Sequence, residues 1–120
     1  MARAKQYFTF QNQQVLNDDG NSLLIERITE QFVDDFDIIA IEIVGTATSG
    51  ETFFEVQVTP NGNFYPIAGV RISDYSISTN STGVNETWTF DVAAYYSFRT
   101  RVANILGGYL TVVGKASKYI

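Results

Sequence analysis

Apolar and polar positions alternate with period two along most of this chain. In the C-terminal third, Trp88, Phe90 and Val92 alternate with Thr87, Thr89 and Asp91. Phe98, Thr100 and Val102 alternate with Arg99, Arg101 and Ala103, and Leu110, Val112 and Gly114 with Tyr109, Thr111 and Val113. Period two sends successive side chains to opposite faces, so these runs predict half-buried strands. Gly107-Gly108 between the last two predicts a hairpin, because glycine accepts the positive φ that tight turns need.

The same pattern runs through the rest of the chain. Residues 6–16 (QYFTFQNQQVL) predict a first strand with Phe8 and Phe10 inward and Gln11 to Gln14 in water. Asn17 to Asn21 is a turn cluster of residues that tolerate left-handed backbone. Residues 22–33 (SLLIERITEQFV) are ambiguous. Leu24, Ile28 and Phe32 recur every four residues, which suits an amphipathic helix capped by Ser22. A strand from Ser22 to Ile28 followed by a loop or one helical turn fits the β surroundings, and both readings stay open. The most apolar run, Ile38 to Val44, predicts a central strand covered on both faces. Glu42 inside it then needs a partner, for which Arg99 or Arg101 is expected.

Glu51 to Thr59 predicts a strand with Phe54, Val56 and Val58 inward and Phe53, Glu55 and Gln57 outward. Asn61-Gly62 is a strong hairpin signal. Phe64 to Ile67 begins the return strand, Val70 and Ile72 continue it on one face, and Gly69 suggests a bulge. Tyr75 to Ser78 reads as extended, and Asn80 to Asn85 as a loop. Strands at roughly 8–12-residue spacing predict an all-β, two-sheet antiparallel sandwich, jelly-roll-like, of about eight strands. One short helix or helical turn near residues 24–34 is the only expected exception. At 120 residues the chain is expected to be one domain spanning residues 1–120, with a core that needs no disulfides.

Composition narrows the function more by exclusion than by assignment. There is no cysteine and no histidine. That removes thiolate chemistry, the commonest general base and a principal zinc ligand. All 13 acidic residues lie between Asp18 and Asp91, and residues 6–114, which hold them all, carry only four arginines and no lysine. Such an acidic body repels phosphate, so nucleic acid is not an expected partner. No run reaches the ~20 apolar residues of a membrane span, and no apolar stretch of a signal peptide follows Met1 to Lys5. Neither a membrane nor a secretory route is expected.

Candidate chemistry is sparse. Asp19, Asn21 and Glu30 fall at calcium-loop spacing, but Leu23 and Leu24 occupy positions where a ligand and a glycine belong. The carboxylates Asp18-Asp19 and Asp34-Asp35-Asp37 lie in loops, where water solvates them. A small hydrolase would need two of them to converge in one pocket. Arg99 and Arg101 share a face and are expected to pair across strands with Asp91 or Glu42. No catalytic, cofactor-binding or metal-binding residue is assigned. The aromatic content of 14% leaves outward tyrosines as candidate contacts with protein or glycan. The four put forward are Tyr65, Tyr75, Tyr95 and Tyr96, with Tyr7, Phe53, Tyr109 and Tyr119 also expected to point outward.

Five segments in order carry a family resemblance. They are Gly50 to Val58 (GETFFEVQV), Asn61 to Ile67 (NGNFYPI), Thr89 to Val92 (TFDV), Tyr96 to Val102 (YSFRTRV) and Gly108 to Gly114 (GYLTVVG). In this order they resemble the small β-sandwich modules of tailed bacteriophages, nearest to small accessory proteins of Bacillus siphophages. The segment 22–36 is longer and more acidic than that pattern. The resemblance implies a fold like the shoulder domain of lactococcal phage receptor-binding proteins. It implies a non-enzymatic structural or accessory role, tail- or baseplate-associated, with other phage proteins or further copies of itself as partners. The alternative is a carbohydrate-binding module that touches host cell-wall glycan. A structural part would sit in the tail region of the virion, and otherwise the chain would stay in the host cytoplasm. The resemblance carries over no binding residue.

Overall fold

The alternating runs become two antiparallel sheets with their apolar faces against each other. The structure, a computed structural model, describes residues 5–24 and 36–118. Among them the strands are β1 (Lys5–Gln14), β2 (Ser22–Leu24), β3 (Ile38–Gly45), β4 (Ser49–Gln57), β5 (Phe64–Pro66) and β6 (Gly69–Arg71). They continue with β7 (Ile77–Ser78), β8 (Asn80–Ser81), β9 (Glu86–Asp91), β10 (Ser97–Leu106) and β11 (Leu110–Ser117). One sheet runs β1-β11-β3-β9-β6-β7 and the other β2-β10-β4-β5, with β8 added on β4. The expected all-β sandwich is the observed fold. No helix occurs among the described residues, and the helical turn considered near 24–34 lies outside them beyond β2.

A chain of aromatic contacts crosses the core from one sheet to the other. Phe8 meets Phe10 at 4.8 Å, and Phe10 meets Phe98 at 5.4 Å. Phe98 meets Phe90 at 5.1 Å, Phe90 meets Phe54 at 4.6 Å, and Phe54 meets Trp88 at 5.1 Å. Each burial of such a ring contributes roughly 1.5–3 kcal/mol, with edge and tilted contacts adding to it. Trp88, Phe90, Val92, Phe98, Val102, Leu110 and Val112 are all buried, as their alternation predicts. Gly107 and Gly108 take φ of +75° and +151° in the β10–β11 turn, as the dipeptide predicts.

Several expectations are corrected. β3 is interior to its sheet but covered on one face only. Ile39, Ile41 and Ile43 are buried, while Ala40 and Glu42 are exposed. Glu42 therefore sits in water and needs no arginine, and Arg99 and Arg101 belong to the other sheet. Gln11 is not wet. A register shift in β1 between Thr9 and Gln11 turns both Phe10 and Gln11 inward. The Gln11 amide N–H groups then donate to the Thr100 carbonyl at 2.9 Å and the Asp18 carbonyl at 3.2 Å. Val58 lies past the end of β4 and is exposed.

The return from the Asn-Gly turn is not one strand. β5 stays with β4, whereas β6 crosses to the other sheet beside β9. Pro66 cannot extend a donor ladder, which favours the break there. With this splitting and the short β7 and β8, eleven strands occur among the described residues where about eight were expected. Gly69 makes no bulge. It lies flat under Phe90, where an added Cβ would come within 2.2 Å of the ring. Tyr75 is not extended but left-handed, with φ of +58°, and Asn80–Ser81 forms a short strand instead of loop.

Candidate functional site

The β6–β7 turn is the most elaborately held exposed segment. Arg71 makes two bonds to Asp74, Nε to Oδ1 at 3.1 Å and Nη2 to Oδ2 at 2.7 Å. Its Nη1 reaches Glu86 at 3.1 Å. Asp74 also accepts from the Ser76 amide and hydroxyl. Glu86 accepts from the Ser81 hydroxyl and the Trp88 indole N–H. The turn is thereby tied to the buried tryptophan. The bond from Arg71, then those from Ser76, hold the Asp74 carboxyl well below the usual carboxylate range. The same pairing with Asp74 first, then Glu86, raises Arg71, which stays charged at any working pH.

This network displays apolar side chains. Tyr75 is 77% exposed, Ile77 is 72% exposed, and Ile72 stands out beside them. A positive φ at a bulky aromatic residue is uncommon and persists only where the surroundings fix it. Here the Arg71–Asp74 bonds and the Tyr75 N–H to Arg71 carbonyl bond at 2.8 Å do so. β7 is the last strand of its sheet, so the display lies at an edge.

The four tyrosines put forward from the sequence do not converge. Tyr65 is exposed on β5, at the edge of the other sheet. Tyr95 is half-buried and packs on the core. Tyr96 is half-buried, its N–H held by the Gln57 carbonyl at 2.8 Å. Only Tyr75 stands on a fixed, exposed platform. Tyr7 is exposed, Phe53 and Tyr109 are half-buried, and Tyr119 lies outside the described residues.

Arg99 and Arg101 do share a face, but their common partner is Glu55 on β4. Arg99 Nε meets it at 2.9 Å and Arg101 Nε at 3.6 Å. Asp19 lies 4.0 Å from Arg99. The guanidinium of Arg99 stacks 4.0 Å over Phe64 and that of Arg101 4.3 Å over Phe53. This alternation of aromatic rings and charges makes a closed surface with its charges already used. No group of three or more Asp or Glu capable of holding a metal occurs among the described residues.

A concavity that was not expected from the sequence lies on the outer face of the six-stranded sheet. It measures about 510 Å³ and is lined by Tyr7, Thr9, Ala40, Glu42, Val113 and Lys115 among others. Strand register explains it. Tyr7 stands opposite Lys115 and Lys115 opposite Ala40, while Thr9, Val113, Glu42 and Thr87 form the next row. The short Ala40 leaves a gap between taller neighbours. The available signal was the small outward residue inside an otherwise bulky β3, which only strand pairing could translate into a hollow.

The XepA family pattern matches residues 6–116. The chain belongs to the XepA family. Within that family it is similar to the phage-like element PBSX protein XepA of Bacillus subtilis (strain 168), with 31% identity over 78 residues. It is also similar to the SPbeta prophage-derived protein YomS of the same strain, with 26% identity over 110 residues. The YomS match covers 92% of this chain and 85% of YomS. The crystal structure of YomS superposes with a TM-score of 0.85 at 24% identity, over 98% of this chain and 96% of YomS. That of the PBSX exported protein XepA gives 0.88 at 26% identity, over 98% of this chain and 39% of XepA. This XepA-family chain thus spans well under half of XepA itself and nearly all of YomS. Both relatives are described as phage-like or prophage-derived.

Proposed function

We propose that this chain is a non-enzymatic, phage-derived module that works by protein–protein contact in the tail or baseplate region of a particle. Membership of a family with prophage relatives supports the phage origin. One observation carries the contact role: the β6–β7 turn, where Arg71, Asp74 and Glu86 hold Tyr75 out on a left-handed backbone between Ile72 and Ile77. Rigid exposed aromatics with apolar neighbours lose little entropy when a partner covers them, which is the usual character of a binding hot spot. XepA of PBSX is an exported protein, which is compatible with a role outside the producing cell.

The test uses a photo-crosslinking residue at position 75 and, as control, at position 58. Particles are purified and analysed by mass spectrometry. The chain is expected in the particle, with position 75 joined to a second polypeptide and position 58 unjoined. Absence of the chain from particles sinks the structural assignment. Equal crosslinking at both positions sinks the role of the turn. Tyr75→Ser and Ile77→Ser are each expected to lower incorporation without lowering the melting temperature.

The glycan alternative has less support at the tyrosines put forward for it, since they lie on separate elements. Retention on isolated cell walls measures it directly, and loss of retention in Tyr65→Ala or Tyr75→Ala is its expected signature.

A further inference from the structure

We infer that the hollow on the outer face of the six-stranded sheet is a binding site for a short peptide with a free α-ammonium and a free α-carboxylate. The site is independent of the β6–β7 turn, which lies at the far edge of the same sheet. Its volume of about 510 Å³ falls within the roughly 300–1,000 Å³ usual for small-ligand sites. The lining is mainly apolar, with Val113 and Ala40 in the middle and Tyr7 as one wall.

Two opposite charges border this apolar middle. Lys115 lies over the Tyr7 ring at 5.5 Å and makes no ion pair among the described residues. Glu42 is exposed on β3 and likewise has no ion-pair partner among them. Val113 pairs with Glu42 and Lys115 pairs with Ala40, so Lys115 and Glu42 are diagonal neighbours on one face. Diagonal positions stand roughly 7–8 Å apart at the backbone. The two charges thus border the same hollow without an ion pair between them.

That arrangement selects among ligands. A simple anion attracted by Lys115 meets Glu42, and a simple cation attracted by Glu42 meets Lys115. An uncharged apolar ligand uses neither. A zwitterion with an apolar middle satisfies both, its carboxylate at Lys115 and its ammonium at Glu42. The repulsion of singly charged competitors adds discrimination. Thr9 and Thr87, in the Glu42 row, supply hydroxyls for the peptide amide.

The experiment titrates the isotopically labelled chain with alanyl-leucine, followed by amide chemical shifts. N-acetyl-alanyl-leucine and alanyl-leucinamide serve as ligands lacking one charge each. The expected shifts fall on Ala40 to Glu42 and Val113 to Lys115. Either blocked peptide should bind at least about tenfold more weakly than the parent. Glu42→Gln should weaken alanyl-leucine by a similar factor while tightening the acetylated peptide, whose carboxylate no longer meets a like charge. Lys115→Gln should do the same with respect to the amidated peptide. Both side chains reach solvent, and unchanged shifts elsewhere in each variant verify its fold. The inference is overturned if blocked and free peptides bind alike, if the shifts fall outside the hollow, or if no shift appears at millimolar peptide.

Discussion

At the scale of single residues, Gly69 and Asp74 do the most with the least. Gly69 has room for no side chain, because Phe90 fills the space where its Cβ would stand. Gly69→Ala forces the ring or the strand to move inside a close-packed core, and such overpacking costs typically about 1–3 kcal/mol. Urea unfolding should show the loss as a lower midpoint at unchanged slope. Asp74 is held by the Arg71 guanidinium and the Ser76 donors. Its folded pKa is depressed, so its contribution is complete above the ordinary value of 3.8 and is lost only as pH falls below it. The Ser76 amide shift should therefore pass through the ordinary aspartate range without a titration step. Asp74→Asn should lower stability at neutral pH, by an amount that shrinks in strong acid; a difference constant with pH would refute the linkage.

At the scale of elements, the strands readable from sequence were those whose two faces differ. β9, β10 and β11 bury the residues that alternation nominates, because one face meets the core and the other meets water. β3 misled because Ala40 is apolar and exposed, and an apolar run alone does not distinguish one covered face from two. Gln11 misled because a bulge changes the phase of alternation, and no residue type announces it. Pairing was legible in kind but not in partner. Arg99 and Arg101 were expected opposite carboxylates, yet Glu55 became accessible to both only through the β4–β10 register, where it faces Arg99 directly. The candidate sites failed to be legible for the same reason. Tyr75 was named without its network, and Ala40, Glu42 and Lys115 were separated in sequence until register joined them. Glu55→Gln should cost about 1–3 kcal/mol, since Glu55 is buried beneath the two arginines and its loss leaves two guanidinium groups facing each other. Restoring part of the loss by Arg101→Gln in the same background would confirm a shared partner; simple additivity of the two costs would exclude it.

At the scale of the whole molecule, the two sheets divide the work. The five-stranded sheet closes its outer face with stacked Phe64, Arg99, Glu55, Arg101 and Phe53. The six-stranded sheet leaves its outer face hollow and its β7 edge apolar. Its opposite edge holds β1 against β11, with Lys5 paired to Ser117. That last pairing has a mechanical consequence. Force applied between residues 5 and 117 acts across the strands, so it loads the inter-strand hydrogen bonds one after another from the open end. Peeling of this kind yields at far lower force than sliding two strands past each other, where many bonds must break at once. Single-molecule pulling between these positions should detach β1 in a low-force step before the sandwich ruptures, whereas pulling between residue 14, at the far end of β1, and residue 117 should meet a higher threshold. Polypeptides pulling on both ends would thus load a soft seam, and a jolt between them would be absorbed there, at the edge opposite Tyr75.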